Sequence, residues 1–133
     1  MEQQKHPYSD LTHEIIGAAM EVHNALRFGF QEVYYQRALA VELRERGIHF
    51  KREVEVDLFY KRINIGNRRV DFIVENQIIV ELKAKPEIEN RHLAQAIHYV
   101  ELFNHEVGLL INFGAKSLQF KRIINKKRSS YYK

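Results

Sequence analysis

The segment from Arg69 to Lys83 contains two apolar strands that can pair in only one antiparallel register. If the turn is centred on Asn76, every pair of residues facing one another on one side of the hairpin is apolar. A shift of one residue would bring charged side chains onto that side, so the apolar pattern determines the register. We therefore predict a hairpin whose core-facing pairs are Val74 with Ile78, Phe72 with Val80, and Val70 with Leu82.

The other side of this hairpin is predicted to place two carboxylates opposite one another. Asp71 faces Glu81, and Arg69 faces Lys83. The Cβ atoms of directly opposed residues are about 4.5–5.5 Å apart, and like charges at that distance are destabilising. A divalent cation held between the carboxylates would remove the repulsion, and Mg²⁺ commonly binds one or two carboxylates. Alternatively, Arg69 and Lys83 neutralise the two acids as a surface ion-pair cluster that needs no metal.

Apolar periodicity along the chain predicts an α/β fold with the element order α-α-β-β-β-α-β-β. In the second helix, we expect Tyr34, Ala38, Val41 and Leu39 to face the core. Residues 108–113 are almost all apolar, which indicates a strand buried on both faces. The predicted helices cover residues 11–26, 31–46 and 90–103, and the predicted strands cover residues 53–60, 69–74, 78–83, 108–113 and 118–124.

Length and composition limit the class of protein. A chain of 133 residues suits one domain, which we place over residues 1–133. There is no cysteine, which excludes disulfides, thiolate nucleophiles and cysteine-ligated metal clusters. No apolar run is long enough to cross a membrane, and the N-terminus lacks the apolar region of a signal peptide. We therefore expect a soluble, cytoplasmic protein that does not bind a membrane.

Positive charge is concentrated at the C-terminal end. Seven Lys or Arg residues and no Asp or Glu follow Glu106, although the net charge of the whole chain is only +4. A basic end of this kind either contacts phosphates or forms a solvated tail, here about residues 125–133. Under the first interpretation, the candidate nucleic-acid contacts are Lys116, Lys121, Arg122, Lys126 and Lys127.

Several motifs with chemical potential occur in a particular order along the chain. They are G-x-x-E-x-x-Y at residues 29–35, Asp71, the triplet Glu81-Leu82-Lys83, and then Gln95 and Tyr99 on the last predicted helix. This order resembles the GxxExxY protein family, a branch of the PD-(D/E)XK nuclease-like superfamily, and the resemblance extends from about Leu11 to Ile124. It implies a restriction-endonuclease-like core, in which a mixed β-sheet is flanked by helices.

The resemblance also implies a chemistry. It points to a metal-dependent nuclease that hydrolyses phosphodiester bonds in nucleic acid, with DNA favoured and with Mg²⁺ or Mn²⁺ as the cofactor. Lys83 would position the attacking water and stabilise charge on the phosphate, and Gln95 would orient water or a phosphate oxygen. The implied catalytic residues are Asp71, Glu81, Lys83 and Gln95, and the implied metal ligands are Asp71, Glu81, the Leu82 carbonyl and, through water, Glu32.

Two alternatives to an independent nuclease are open at this point. The chain could be a non-catalytic module that keeps the nuclease fold and binds nucleic acid or another protein. It could also be a subunit of an assembly, because 133 residues leave no room for a separate recognition domain. In that case, specificity would come from a homodimer or from a partner protein.

Overall fold

In the computed structural model, which describes residues 8–126, a five-stranded sheet has helices on both faces. The predicted order of elements is confirmed. Within the described residues, no helix is both long enough and apolar enough to cross a membrane. The elements are α1 (Ser9–Leu26), α2 (Glu32–Glu45), β1 (Phe50–Tyr60), β2 (Ile63–Val74), β3 (Ile78–Lys83), α3 (Asn90–Leu102), β4 (Val107–Asn112) and β5 (Gln119–Ile124).

The sheet is mixed, and its strands lie side by side in chain order. β3 and β4 are parallel, whereas every other neighbouring pair is antiparallel. Parallel strands need a crossover connection, and α3 supplies it between β3 and β4. Both strands of this parallel pair are buried along nearly their whole length, as the apolar run at residues 108–113 predicts.

Two separate hydrophobic cores hold the layers together. α1 and α2 pack on one face of the sheet, over residues that include Phe72, Val80 and Leu82. α3 packs on the other face, where Ile73 and Ile79 are buried. The hairpin therefore has a buried apolar surface on both sides, and its carboxylates stand within the protein rather than on an open charged face.

The predicted hairpin register is confirmed for three pairs and then ends. The pairs are Val74 with Ile78, Ile73 with Ile79, and Phe72 with Val80. The prediction that Val70 and Leu82 share one core face is wrong, because Val70 packs under α3 and Leu82 packs under α1 and α2.

This change of face coincides with an irregular residue in the neighbouring strand β1. Opposite Asp71, β1 contains Glu53 in a left-handed conformation with φ of 52°. Pairing of β1 with β2 continues in the same register on both sides of this point, at Arg52 with Phe72 and at Val54 with Val70. The side chains of β2 before and after Asp71 nevertheless point to different cores.

The predicted inward face of α2 is right for two residues and wrong for two. Leu39 is fully buried and Ala38 packs partly buried against the core, whereas Tyr34 and Val41 are 47% and 54% exposed. Tyr35 faces the core instead, where its ring stacks on Phe113 with the centroids 4.8 Å apart. Its hydroxyl donates to the Arg27 carbonyl at 2.6 Å and accepts from the Phe30 N–H at 3.1 Å, which fixes the rotation of the helix.

A fully buried amide fixes the chain where it leaves β3. The Asn112 side chain accepts hydrogen bonds from the backbone N–H groups of Lys85 and Gly114, at 2.9 and 3.1 Å. It donates to the Lys85 carbonyl at 2.8 Å and to the Gln119 Oε1 at 2.9 Å. All its polar atoms are therefore satisfied, as a buried amide requires. These bonds hold the segment that immediately follows Lys83.

We expect Gly114→Ala to destabilise the protein. A Cβ at residue 114 would overlap backbone atoms of Ala84 and Lys85, which cannot move aside as a flexible side chain can. Overpacking of this kind costs about 1–3 kcal/mol in the free energy of unfolding, which urea denaturation would measure.

Gly17→Ala is the matched control. This glycine lies inside α1, and its nearest neighbour is the mobile end of Arg46, at 3.3 Å. Alanine should therefore stabilise the helix by about 0.5–1 kcal/mol. Equal free energies of unfolding for the two variants would contradict the close packing at residue 114.

Candidate active site

The candidate site lies at the point where β2 and β3 stop pairing. Beyond Phe72 and Val80, Asp71 bonds to β3 through its side chain: Oδ2 accepts from the Leu82 N–H at 2.8 Å. The Asp71 N–H in turn donates to the Glu81 Oε1 at 3.2 Å. The carboxylates therefore take the place of ladder hydrogen bonds, and each satisfies a backbone donor of the other strand.

The buried Glu81 carboxyl is expected to carry a proton near neutral pH. Glu81 is only 6% exposed. Burial is the main cause that raises its pKa, and a side-chain hydrogen bond and the negative charge of Asp71 act in the same direction. Lys83 and the Asp71 backbone N–H oppose them, and the net pKa is about 10. In the metal-free protein, this proton removes the repulsion between the two carboxyl groups.

Arg69 and Lys83 contact other residues than Asp71 and Glu81, the partners that the ion-pair alternative predicts. Lys83 donates from Nζ to the Gln95 Oε1 at 2.8 Å. Arg69 lies 3.9 Å from the Glu53 carboxylate, and both side chains are more than half exposed. Among residues 8–126, the ion pairs do not include one that joins either cation to Asp71 or Glu81. Ion pairing by Arg69 and Lys83 therefore does not account for the facing acids.

Glu32 is brought to the same place from the start of α2. A cavity of about 290 Å³ opens beside the hairpin, and Glu32, Asp71 and Glu81 all line it. Burial raises the pKa of Glu32 and the negative charge of Asp71 adds to this effect, while Lys83 and Lys85 lower it. The G-x-x-E-x-x-Y motif and the hairpin, which are far apart in sequence, therefore meet at one acidic cavity.

Two residues of this cavity were not predicted from the sequence. Gln36 is buried and donates from Nε2 to the Asp71 Oδ1 at 2.7 Å. Its position four residues after Glu32, on the same helix face, was the available signal. Glu53 also lines the cavity, from its left-handed position in β1. Nothing in the local sequence indicated that conformation, because glutamate is not a residue that favours it.

The donor set of the site suits a hard divalent cation. Asp71 and Glu81 supply carboxylate oxygens, which Mg²⁺ and Mn²⁺ prefer. The Leu82 N–H points into the gap between β2 and β3, and the carbonyl of a strand residue points the same way as its N–H, so this carbonyl faces the gap too. Within residues 8–126, no group of three His, Asp or Glu side chains is drawn together as a metal-binding cluster. Glu32 would therefore act through water.

Of the basic residues near the C-terminus, those that the structure describes do not line this cavity. Lys116 lines a different cavity, beside His23 and Arg27 at the end of α1. Lys121 and Arg122 are on β5, two strands from β3. Lys126 follows β5, and Lys127 lies outside the described residues. Their contact with nucleic acid stays a prediction.

Comparison with known proteins identifies the family. The crystal structure of SSO0001 is similar to this structure, with a TM-score of 0.58 and 19% sequence identity over 88% of this chain. This chain spans 59% of the length of that protein, and at this identity the similarity concerns the fold alone. No curated protein matches the sequence. The sequence model of the PD-(D/E)XK nuclease superfamily matches residues 9–123. The mixed sheet, its element order and this match together show that the chain has a restriction-endonuclease-like fold and belongs to the PD-(D/E)XK nuclease superfamily.

Proposed function

We propose that this protein is a metal-dependent nuclease that hydrolyses phosphodiester bonds in nucleic acid, with DNA as the favoured substrate. The observation that carries the proposal is the pair Asp71 and Glu81, whose carboxyl groups each accept a backbone hydrogen bond from the opposite strand and line an acidic cavity. Lys83 lies on the same strand, two residues beyond Glu81, and is held by Gln95. The superfamily match supports the reaction class.

The metal ligands in this proposal are Asp71, Glu81 and the Leu82 carbonyl, with Glu32 acting through water. A bound Mg²⁺ or Mn²⁺ supplies Lewis-acid chemistry, which polarises the phosphate and favours ionisation of water. Gln36 holds Asp71 in a single orientation through its 2.7 Å hydrogen bond. Asp71 therefore needs little rearrangement before it binds the cation.

Lys83 has the contacts that a phosphate-binding lysine needs. An ammonium group has three donors, and the Gln95 Oε1 accepts one of them. The remaining donors are available to the attacking water and to a phosphate oxygen, where the positive charge stabilises the negative charge that develops in the transition state. The Gln95 amide keeps its own two N–H donors, which suit a phosphate oxygen or a water.

Within the superfamily, we propose membership of the GxxExxY group, because each defining residue has a physical reason to be there. Gly29 has φ of 116°, a conformation that other residues rarely adopt. Glu32 lines the acidic cavity. Tyr35 closes the turn between α1 and α2 through its two hydroxyl hydrogen bonds. The motif therefore places one carboxylate at the site and fixes the helix that carries it.

An apolar surface on α1 and α2 favours a second candidate function, a non-catalytic protein-interaction module. Phe28, Phe30, Tyr34 and Val41 are all about half exposed. Beside them, a cavity of about 480 Å³ is lined by Leu26, Phe30, Tyr34 and Ala38. Exposed apolar patches commonly mark protein-binding sites. If this protein neither binds Mn²⁺ nor cleaves any nucleic acid, the protein-interaction module is the better candidate.

The direct test is cleavage of single-stranded DNA, duplex DNA and RNA in the presence of Mg²⁺ or Mn²⁺. We expect Lys83→Met to lower the cleavage rate by about a hundredfold or more, because a preorganised charge at the phosphate is lost. Lys51→Met is the matched control, since it removes the same charge from another strand of the sheet, β1. Equal activities of the two variants would contradict the role of Lys83.

Metal binding should release a proton. Because the pKa of Glu81 is raised to about 10, a cation that binds its carboxylate must displace the proton it holds at neutral pH. Calorimetric titration of Mn²⁺ in two buffers of different ionisation enthalpy should give different heats, corresponding to about one proton per ion. Asp71→Asn should bind Mn²⁺ much more weakly. Identical heats in both buffers would mean that Glu81 is already ionised.

The proton on Glu81 also predicts how the stability of the metal-free protein depends on pH. The folded protein holds it above pH 4.5, where an unfolded glutamate has lost it, so folding is favoured less as the pH rises towards the folded pKa. Urea unfolding in EDTA at pH 6 to 9 should show wild type losing up to about 1.4 kcal/mol per pH unit relative to Glu81→Gln. Glutamine keeps the donor and the acceptor but has no proton to lose. Parallel pH curves for the two proteins would contradict the raised pKa.

A further inference from the structure

The β1–β2 hairpin continues beyond the two cores as an exposed ribbon, which we define as residues 58–69. None of its residues belongs to either core. The ribbon contains four cations and no Asp or Glu. It leads directly to the candidate site, because Asp71 follows two residues after its end. The four cations are Lys61, Arg62, Arg68 and Arg69.

Large apolar side chains are exposed on the same ribbon. Phe59, Tyr60, Ile63 and Ile65 are each 61–67% exposed. Exposed aromatic rings next to cations are typical of surfaces that bind single-stranded nucleic acid, where bases stack on the rings and cations contact the phosphates. Here Lys61 and Arg62 immediately follow Tyr60, so both kinds of contact are available within three residues.

A cavity of about 510 Å³ lies between this ribbon and α3. Leu58 and Arg68 line it from the ribbon, and Arg91, Gln95 and Tyr99 line it from the helix. The volume is in the range of small-molecule sites. Its lining combines apolar side chains with two guanidinium groups and one carboxylate, that of Glu101. The excess of positive charge suits a nucleotide, because the base is flat and apolar on its faces and the phosphate is anionic.

The cavity adjoins the candidate active site. Gln95 lines the cavity and also accepts the hydrogen bond from Lys83. Tyr99 lines the same cavity, four residues after Gln95 on α3. Because Gln95 contacts both Lys83 and the cavity, a strand whose phosphate lies at Lys83 can extend into it.

We propose that the groove formed by the ribbon and α3 holds an unpaired segment of the substrate next to the phosphate that is cut. This inference rests on the proposed function and specifies its substrate as a single strand or an unpaired end. A base within a duplex is stacked on both faces and cannot enter the cavity, whereas an unpaired base can lie against Leu58 and Leu102. The phosphates on one side of it then meet Arg68 and the cations of the ribbon.

Binding can be measured separately from cleavage. The protein is the full chain carrying Asp71→Asn, and the probe is a fluorescein-labelled DNA oligonucleotide of about 15 nucleotides, either alone or as a blunt duplex. In anisotropy titrations, we expect the single strand to bind at least about tenfold more tightly than the duplex. Adding Arg68→Ala, or the pair Phe59→Ser and Tyr60→Ser, should weaken single-strand binding about tenfold.

Lys51→Ala is the matched control, because it removes an exposed cation from the part of β1 that lies outside the ribbon. Its binding should equal that of the Asp71→Asn parent. Arg68→Ala should also lower the slope of log K against log salt by about 0.7, the value for one contact to a single strand. Thermal melts of all variants should match the parent, since these side chains are exposed.

The outcomes separate this inference from the proposed function. If duplex binds as tightly as single strand, or if Lys51→Ala weakens binding and the ribbon variants do not, the inference is wrong. It is also wrong if the ribbon variants only convert a dimer to a monomer in sedimentation, because the ribbon would then be a contact between two copies. If the ribbon variants lose single-strand binding but the unsubstituted chain cuts nothing with Mg²⁺ or Mn²⁺, the binding groove stands and the proposed nuclease activity fails.

Discussion

The separation of β2 from β3 after Phe72 and Val80 is the constraint on which the site depends. A buried backbone N–H that loses its ladder partner costs free energy unless another acceptor replaces it. Asp71 provides that acceptor for the Leu82 N–H, and Glu81 provides one for the Asp71 N–H. The gap between the strands is therefore stable because carboxylates fill it. The same gap leaves carboxylate oxygens facing a cavity, where a ligand can reach them.

Two carboxyl groups in one buried gap can coexist only if one positive charge is shared between them. In the metal-free protein, that charge is the proton that the raised pKa of Glu81 retains. A divalent metal bound in its place would offset the repulsion more fully, which links metal affinity to pH. Neighbouring amides keep the site residues in position, because Gln36 donates a hydrogen bond to Asp71 and Gln95 accepts one from Lys83. The fully buried Asn112 then fixes the chain just beyond Lys83.

The two faces of the sheet contribute different parts of the proposed chemistry. α2 brings Glu32 and Gln36 to the carboxylates from one side, whereas α3 brings Gln95 from the other. A site built from both layers needs a strand that can present side chains to each. The change of face at Asp71, opposite the left-handed Glu53, meets this need, because the side chains before and after it point to different cores.

The apolar pattern of residues 69–83 determined the hairpin turn and its first three pairs, because any other register would have buried charge. The order of the elements followed from the spacing of the apolar residues, which recurs at the helical period in the helices and alternates in a strand such as β1. The rotation of α2 could not be predicted, since apolar residues occur on both of its faces and the choice depends on Tyr35 stacking against the distant Phe113. That rotation is also what brings Gln36 to Asp71. The protonation of Glu81 is likewise a tertiary property, because a carboxyl group keeps its proton at neutral pH only when the assembled protein removes it from water.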